Sequence, residues 1–210
     1  MKSTTPVTAS AAISDFILKA VYIIAGVATL YFITTRALPY YNISYAKAEY
    51  GAKAVFIIVH VTLGIAATVI GPFQFIDSFR NKNIKRHRLL GKIYLLCTII
   101  SACISWYLVL PQDNAHATLS YKAGLFFLGF AWIASAIMAY LSVKNKKIAL
   151  HKEWMVRSYV ITLAFVTYRL VQDLLVAMDF KGTNDMMAWA SWAVPLFITE
   201  IILQGRKIYK

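Results

Sequence analysis

Long apolar runs separated by short polar segments make up most of the chain. Six of these runs reach the ~20 residues that a helix needs to cross the hydrocarbon core of a bilayer. The predicted spans cover residues 16–35, 52–76, 90–110, 122–143, 155–178 and 186–204. The alternating pattern of membrane-barrel strands does not occur. The pattern therefore predicts an all-α fold, a polytopic membrane bundle of six transmembrane helices.

Composition supports the same interpretation. The 210 residues are 60% hydrophobic and only 15% charged, whereas soluble proteins are about half apolar and about a quarter charged. A water-soluble domain of this length could not bury so much apolar surface, so lipid must solvate part of it. We expect one integral membrane domain over residues 1–210. The first apolar run is interpreted as a retained helix, because Asp15 lies in its leader and no small-residue cleavage site follows.

The distribution of Lys and Arg predicts the orientation. The second and fourth connecting loops and the C-terminal tail hold most of these residues and account for most of the net charge of +13. The positive-inside rule then places both termini in the cytoplasm, in a multi-pass protein of the cytoplasmic (inner) membrane. The expected partners are the bilayer and anionic lipid headgroups at the cytoplasmic face. A nucleic-acid partner is not expected, and a homo-oligomer is left open.

The fifth span carries two ionisable residues at membrane depth, where such residues are costly and often functional. Asp173 follows Arg169 by four residues, a spacing that allows an ion pair on one helix. Ser158 and Thr162 fall on the same helical face and extend it into a polar stripe. The pair is interpreted either as a structural contact inside the bundle or as the lining of a cavity for a ligand, a proton or a cofactor propionate.

His60 is expected to lie near Arg169, in the outer half of the bundle. Gly64 and Gly71 continue the helical face of His60, and small residues allow helices to approach closely, so this face should point into the bundle. The second and fifth spans run in opposite directions, which places His60 and Arg169 at similar depth. The histidine is either a hydrogen-bonded core residue or a ligand.

A second candidate cluster lies on the cytoplasmic side. Gln74 ends the second span, His87 and Arg88 open the third, and His151 and Arg157 open the fifth. Free backbone N–H groups and the positive end of the helix dipole favour an anion at a helix start. An anion or a lipid phosphate could bind there. The alternative is a solvated basic loop that only sets the orientation.

Several short motifs occur in a fixed order over about residues 52–175. They are His60 with Gly64, Gly71-Pro72-Phe73-Gln74-Phe75, His87-Arg88 with Gly91 and Tyr94, and His151 with Trp154-Met155 and Arg157-Ser158-Tyr159, which Arg169 follows at a fixed distance. Together these motifs resemble an uncharacterised bacterial family of predicted multi-pass membrane proteins, a domain of unknown function. The resemblance implies a membrane location without a settled activity.

Three classes of function are compatible with these residues. The leading hypothesis is a haem-b redox protein, because imidazoles from two helices can ligate haem inside a bundle. His60 and His116 lie on the outer side and His87 and His151 on the inner side, a layout similar to the two-haem plan of cytochrome b561-like proteins. Arg169 could then neutralise a propionate. The alternatives are a small-solute or proton-coupled transporter and a non-catalytic assembly subunit. No catalytic residue and no protein-held metal ion are predicted.

Overall fold

The computed structural model describes residues 20, 23–110, 118–180 and 182–208, and all regular structure among them is helical. The helix α1 includes a π turn over Ile33–Ala37 and a 3-10 turn over Leu38–Tyr41, and further 3-10 turns cover Gly51–Lys53 and Gly71–Gln74. The helices are α1 (Ile23–Tyr41), α2 (Ile43–Tyr50), α3 (Ala54–Ile70), α4 (Asp77–Lys82), α5 (Ile84–Val109), α6 (Leu119–Lys144), α7 (Ile148–Thr162), α8 (Ala164–Ala177) and α9 (Asn184–Ile208).

Six helical segments of the described chain are long and apolar enough to cross a membrane, which confirms the predicted fold class. The helices α5 and α7 begin at Ile84 and Ile148, about two turns before the apolar runs that predict them. The added turns carry Lys85, Arg86 and Arg88 in α5 and Lys152 and Glu153 in α7, so an apolar window cannot detect them. The Asn83 side chain caps α5 by accepting a hydrogen bond from Arg86 N at 3.1 Å. His87 and His151 therefore lie within the first turns of their helices.

The fifth crossing is two helices, α7 and α8, separated at Leu163. Thr162 Oγ1 donates to the carbonyl of Ser158 at 2.9 Å, and such back-bonding bends helices. The predicted polar stripe is therefore divided between two helices, although Thr162 and Arg169 line the same cavity. Ser158 and Thr162 are buried in α7, whereas Arg169 and Asp173 belong to the separate helix α8.

The helices α3, α5, α6 and α7 form a ring in which each packs against its two neighbours, so α5 and α7 occupy opposite corners. The fully buried Tyr94 joins these corners, because its hydroxyl lies 3.0 Å from Ser158 Oγ and 2.8 Å from Thr162 Oγ1. Trp132 Nε1 on α6 donates to Thr162 Oγ1 at 2.9 Å. We call these four residues the central polar cluster. The helix α9 packs outside the ring on α6, α7 and α8.

The crossings alternate in direction, so the bundle has two ends. The basic face includes residues 75–83 and 145–147 and the C-terminal turn of α9, where Lys and Arg are concentrated. The opposite face includes α2 and the connection between α8 and α9. The two candidate clusters lie toward these two ends.

Gly124 sets the distance between α6 and α9. A Cβ added to Gly124 would lie 2.9 Å from Ala188 Cβ and 3.0 Å from the backbone of Ala188, which cannot move without shifting α9. We therefore expect Gly124→Ala to lower the free energy of unfolding by about 1–3 kcal/mol through overpacking. Thermal or denaturant unfolding in detergent measures this loss.

Gly205 provides the matched control. It also lies in α9, but a Cβ added there meets nothing within 4 Å. Gly205→Ala should leave stability unchanged or raise it by up to ~1 kcal/mol through helix propensity. Equal effects of the two substitutions would contradict the assigned α6–α9 contact.

Candidate functional site

Two cavities lie toward the two ends of the bundle. The basic cavity, about 620 Å³, opens near the basic face between α5, α6 and α7. The opposite cavity, about 150 Å³, lies toward the opposite face and is lined by residues of α1, α2, α3, α5, α6, α7 and α8. The two predicted clusters are each centred on one of these cavities.

The basic cavity brings together most of the predicted inner cluster. Gln74, His87, Arg88 and His151 all line it. Most of its wall is apolar, and no carboxylate occurs among the described residues that line it. Five of the lining side chains are cationic, namely those of Arg80, Arg88, Lys92, Lys144 and Lys152.

His151 is held in a defined orientation. Its Nδ1 lies 2.8 Å from the carbonyl oxygen of Ala139 on α6, a geometry in which Nδ1–H donates. This hydrogen bond leaves Nε2 as the unprotonated nitrogen of a neutral ring. Ligating histidines commonly have such a bond on the ring nitrogen that does not bind the metal.

His87 reaches the same cavity from the opposite corner of the ring. Its Nδ1 is buried without a hydrogen-bond partner among the described residues, and so is Nε2 of Gln74. Buried polar atoms are almost always paired with protein, water or a ligand. Two such atoms lining one cavity indicate that the cavity holds something polar.

Gly91 follows His87 by one helical turn and makes room in the same wall. A Cβ on Gly91 would lie 3.0 Å from Gln74 Oε1. The absence of that Cβ therefore lets the buried Gln74 side chain extend along α5 into the cavity wall.

In the opposite cavity, His60 is fixed by Ser101. His60 Nδ1 lies 2.9 Å from both the carbonyl oxygen and Oγ of Ser101, and Ser101 Oγ donates to the His60 carbonyl at 3.2 Å. Nδ1–H donates in this arrangement, which leaves Nε2 unprotonated. Gly64 lines the cavity one turn later, and a Cβ on Gly64 would meet nothing within 4 Å.

Arg169 lines the opposite cavity together with His60, as the sequence predicted. Its NH1 donates to Gln172 Oε1 at 2.9 Å, and its guanidinium lies 5.3 Å from the centroid of the Tyr168 ring. Gln172 Nε2 and Tyr168 Oη both donate to Asn184 Oδ1, at 2.7 and 3.3 Å. The arginine is thus oriented by neutral groups.

The predicted Arg169–Asp173 pair is wrong. Asp173 forms its ion pair with Arg36 on α1 and accepts a hydrogen bond from Tyr31 Oη at 3.1 Å. Asp173 does not line the opposite cavity, whereas Arg36 does. The i,i+4 spacing on α8 permits a pair, but α1 supplies a competing cation that helix periodicity cannot reveal.

The placement of Arg157 in the inner ligand cluster is also wrong. This buried arginine does not line the basic cavity. Its Nε and NH2 donate to Glu200 Oε2 on α9 at 2.8 and 2.6 Å, and its guanidinium lies 4.7 Å from the Trp154 ring centroid. Arg157 and Glu200 therefore form a structural link between α7 and α9.

Sequence reasoning missed five cations at the cavities, Lys92 among them. Arg36, Arg80, Lys144 and Lys152 line cavities, although the sequence suggested for them only a role in orientation. Lys144 and Lys152 flank the loop between α6 and α7, and the position of Lys152 next to the predicted site residue His151 was the available signal. His116 lies outside the described residues. Among the residues that are described, no group of three or more His, Cys, Asp or Glu could hold a metal ion.

Comparisons with known proteins identify the family. Neither curated proteins nor solved structures give a significant match. A family described as "Predicted membrane protein (DUF2306)" matches residues 57–203, which include both histidines of the basic cavity and both His60 and Arg169 of the opposite one. The resemblance drawn from the sequence motifs is confirmed. Because the match covers more than half of the 210 residues, the chain belongs to this family of predicted integral membrane proteins.

Proposed function

We propose that this protein is a membrane electron-transfer protein that binds one haem b in the basic cavity, with His87 and His151 as axial ligands. The observation that carries the proposal is that these histidines lie on opposite corners of the helix ring and line one cavity. Helix bundles commonly build cofactor sites from side chains on facing helices.

The apolar wall and cationic edge of the basic cavity favour an anionic amphiphile as its ligand. Its volume of about 620 Å³ lies within the roughly 300–1,000 Å³ of ligand pockets. The apolar wall suits a porphyrin ring, and the cationic side chains at its edge suit propionates. Arg88 and Lys92 on α5 and Lys152 on α7 would pair with the propionates, which removes the cost of placing these carboxylates at a membrane interface.

Among anionic amphiphiles, the two imidazoles favour haem as the ligand. An acyl lipid does not coordinate imidazole nitrogen. Haem iron takes its axial ligands from the protein, because the porphyrin nitrogens supply the remaining ligands. His151 has the tautomer this role requires, with Nε2 free. Haem with two histidine ligands supplies one-electron transfer, since both axial positions are taken.

Gly91 and Gln74 complete the site in this proposal. Gly91 provides space beside His87 for a flat group lying against α5. The unpaired Nε2 of Gln74 and Nδ1 of His87 could bond to a bound propionate or water. The chain's own residues would thereby hold the ring and its carboxylates.

The basic face is proposed to be cytoplasmic, in the inner membrane. Lys and Arg within a few residues of the membrane helices are concentrated on that face, and their excess sets orientation during insertion. The haem edge would then lie close to the cytoplasm and to anionic headgroups.

Absorption of the purified protein tests haem binding. The detergent-solubilised chain, expressed with a haem supply, should show a Soret band that sharpens on reduction with dithionite. His87→Ala and His151→Ala should each remove most of it, because each deletes an axial ligand. His60→Ala serves as the matched control, since His60 lies in the other cavity, and it should leave the band intact.

A haem-free wild-type protein would overturn the proposal. If the purified protein instead contained one anionic lipid per chain, the basic cavity would be assigned as a binding site for the lipid headgroup. Loss of the Soret band in His60→Ala to the same extent as in His87→Ala would contradict the assigned ligands.

The cations at the cavity edge should set the haem potential. A positive charge stabilises the reduced state relative to the more positive oxidised one, so Arg88→Gln should lower the midpoint potential by tens of millivolts, about the size of a screened charge interaction at this range. Arg86→Gln is the control, because Arg86 is on the same helix but does not line the cavity. A redox titration should show a smaller change for Arg86→Gln, and equal changes would contradict the propionate contact.

Reporter fusions test the orientation. A C-terminal green fluorescent protein should be fluorescent and a C-terminal alkaline phosphatase inactive in a bacterial host, because the basic face stays in the cytoplasm. The reverse pattern would refute the proposed orientation. Fusions after residue 180, on the opposite face, provide the control and should give the inverted signals.

A further inference from the structure

The opposite cavity has a charge that none of the described residues compensates. The Arg36 charge is paired with Asp173, so these two cancel. Arg169, in contrast, has Gln172 and the Tyr168 ring as its partners, and it belongs to none of the ion pairs among the described residues. A cation at membrane depth is costly without a counter-charge. The wall therefore favours an anion next to Arg169.

Apart from His60, whose unprotonated Nε2 is an acceptor, the remaining polar groups of this wall favour the same charge. The hydroxyls of Ser105 and Thr68 already donate to carbonyls of their own helices, at 2.7 and 2.9 Å. Tyr50 and Tyr121 add phenol groups, and the described lining residues include no Asp or Glu. Guanidinium and phenol groups are hydrogen-bond donors, which a carboxylate can accept.

The size and apolar surface of the opposite cavity indicate the kind of molecule that carries the negative charge. The cavity measures about 150 Å³, close to the size of an engineered apolar cavity that binds benzene. Trp132, Phe165 and Leu128 supply apolar wall on the side away from α2. Inorganic ions would leave this surface unused, and an acyl lipid or haem would not fit.

We propose that the opposite cavity binds a small organic monocarboxylate with a single ring, with its carboxylate on Arg169 and its ring against Trp132 and Phe165. The site does not depend on haem in the basic cavity, because the central polar cluster lies between the two cavities. The proposal therefore goes beyond the proposed redox function and can fail or succeed without it.

Calorimetric titration with benzoate tests this site. The probe is added to the full chain in detergent micelles, and the heat of titrating empty micelles is subtracted. We expect saturable binding of one benzoate per chain. Benzamide has nearly the same shape without the charge, so it should bind at least about tenfold more weakly, as expected for loss of a charge-assisted hydrogen bond. Equal affinity for both probes, or no saturable heat with benzoate, would overturn the proposal.

Substitutions locate the bound anion. Arg169→Gln should weaken benzoate at least about tenfold, whereas Arg206→Gln, an equal change of net charge on the exposed end of α9, should leave affinity unchanged. Unchanged binding by Arg169→Gln, or equal weakening in both variants, would overturn the assignment.

A second variant keeps the test decisive if Arg169→Gln does not fold. Gly64→Leu retains the arginine but fills the cavity, because a side chain on Gly64 would extend into open space. It should abolish benzoate binding, whereas Gly205→Leu, at another uncrowded helical glycine, should preserve it. Circular dichroism confirms that both variants keep their helix content. Benzoate binding by folded Gly64→Leu would place the anion elsewhere and overturn the proposal.

Discussion

The hydroxyl of Tyr94 holds the centre of the bundle, where no water is available to satisfy a polar group. It links α5 to two hydroxyls of α7, and the indole of Trp132 adds α6 to the same cluster. In an apolar interior each of these groups must find a protein partner or bear the cost of desolvation. The cluster therefore specifies one register of α5, α6 and α7, and both cavities are arranged around it.

This register explains why the chain has two separate cavities rather than one channel. Thr162 and Trp132 belong to the central polar cluster and also line the opposite cavity, so the cluster closes that cavity toward the middle of the membrane. On the other side, His87 and His151 lie beyond the cluster, near the basic face. A single set of contacts thus separates a large cationic pocket from a small one.

Much of this arrangement could be predicted from the sequence, and the failures have physical causes. Apolar runs of sufficient length predict the six crossings, and helix direction together with depth predicts that His60 shares a half of the bundle with Arg169. The pairs Arg36–Asp173 and Arg157–Glu200 could not be predicted, because each joins helices far apart in the chain. Local spacing favoured Arg169 for Asp173, and only the packing of α1 against α8 decides between the two cations.

The Arg36–Asp173 contact also changes the status of α1. Few residues of this helix are buried, and the family match begins only at residue 57. These two observations alone would suggest that the domain does not need α1. Asp173, however, lies in the region that the family model matches, whereas Arg36, the cation that pairs with it, lies outside that region. Without α1, the Asp173 carboxylate would have no counter-charge from Arg36 at the edge of the bilayer. The role of α1 is therefore to neutralise a charge that belongs to the rest of the domain.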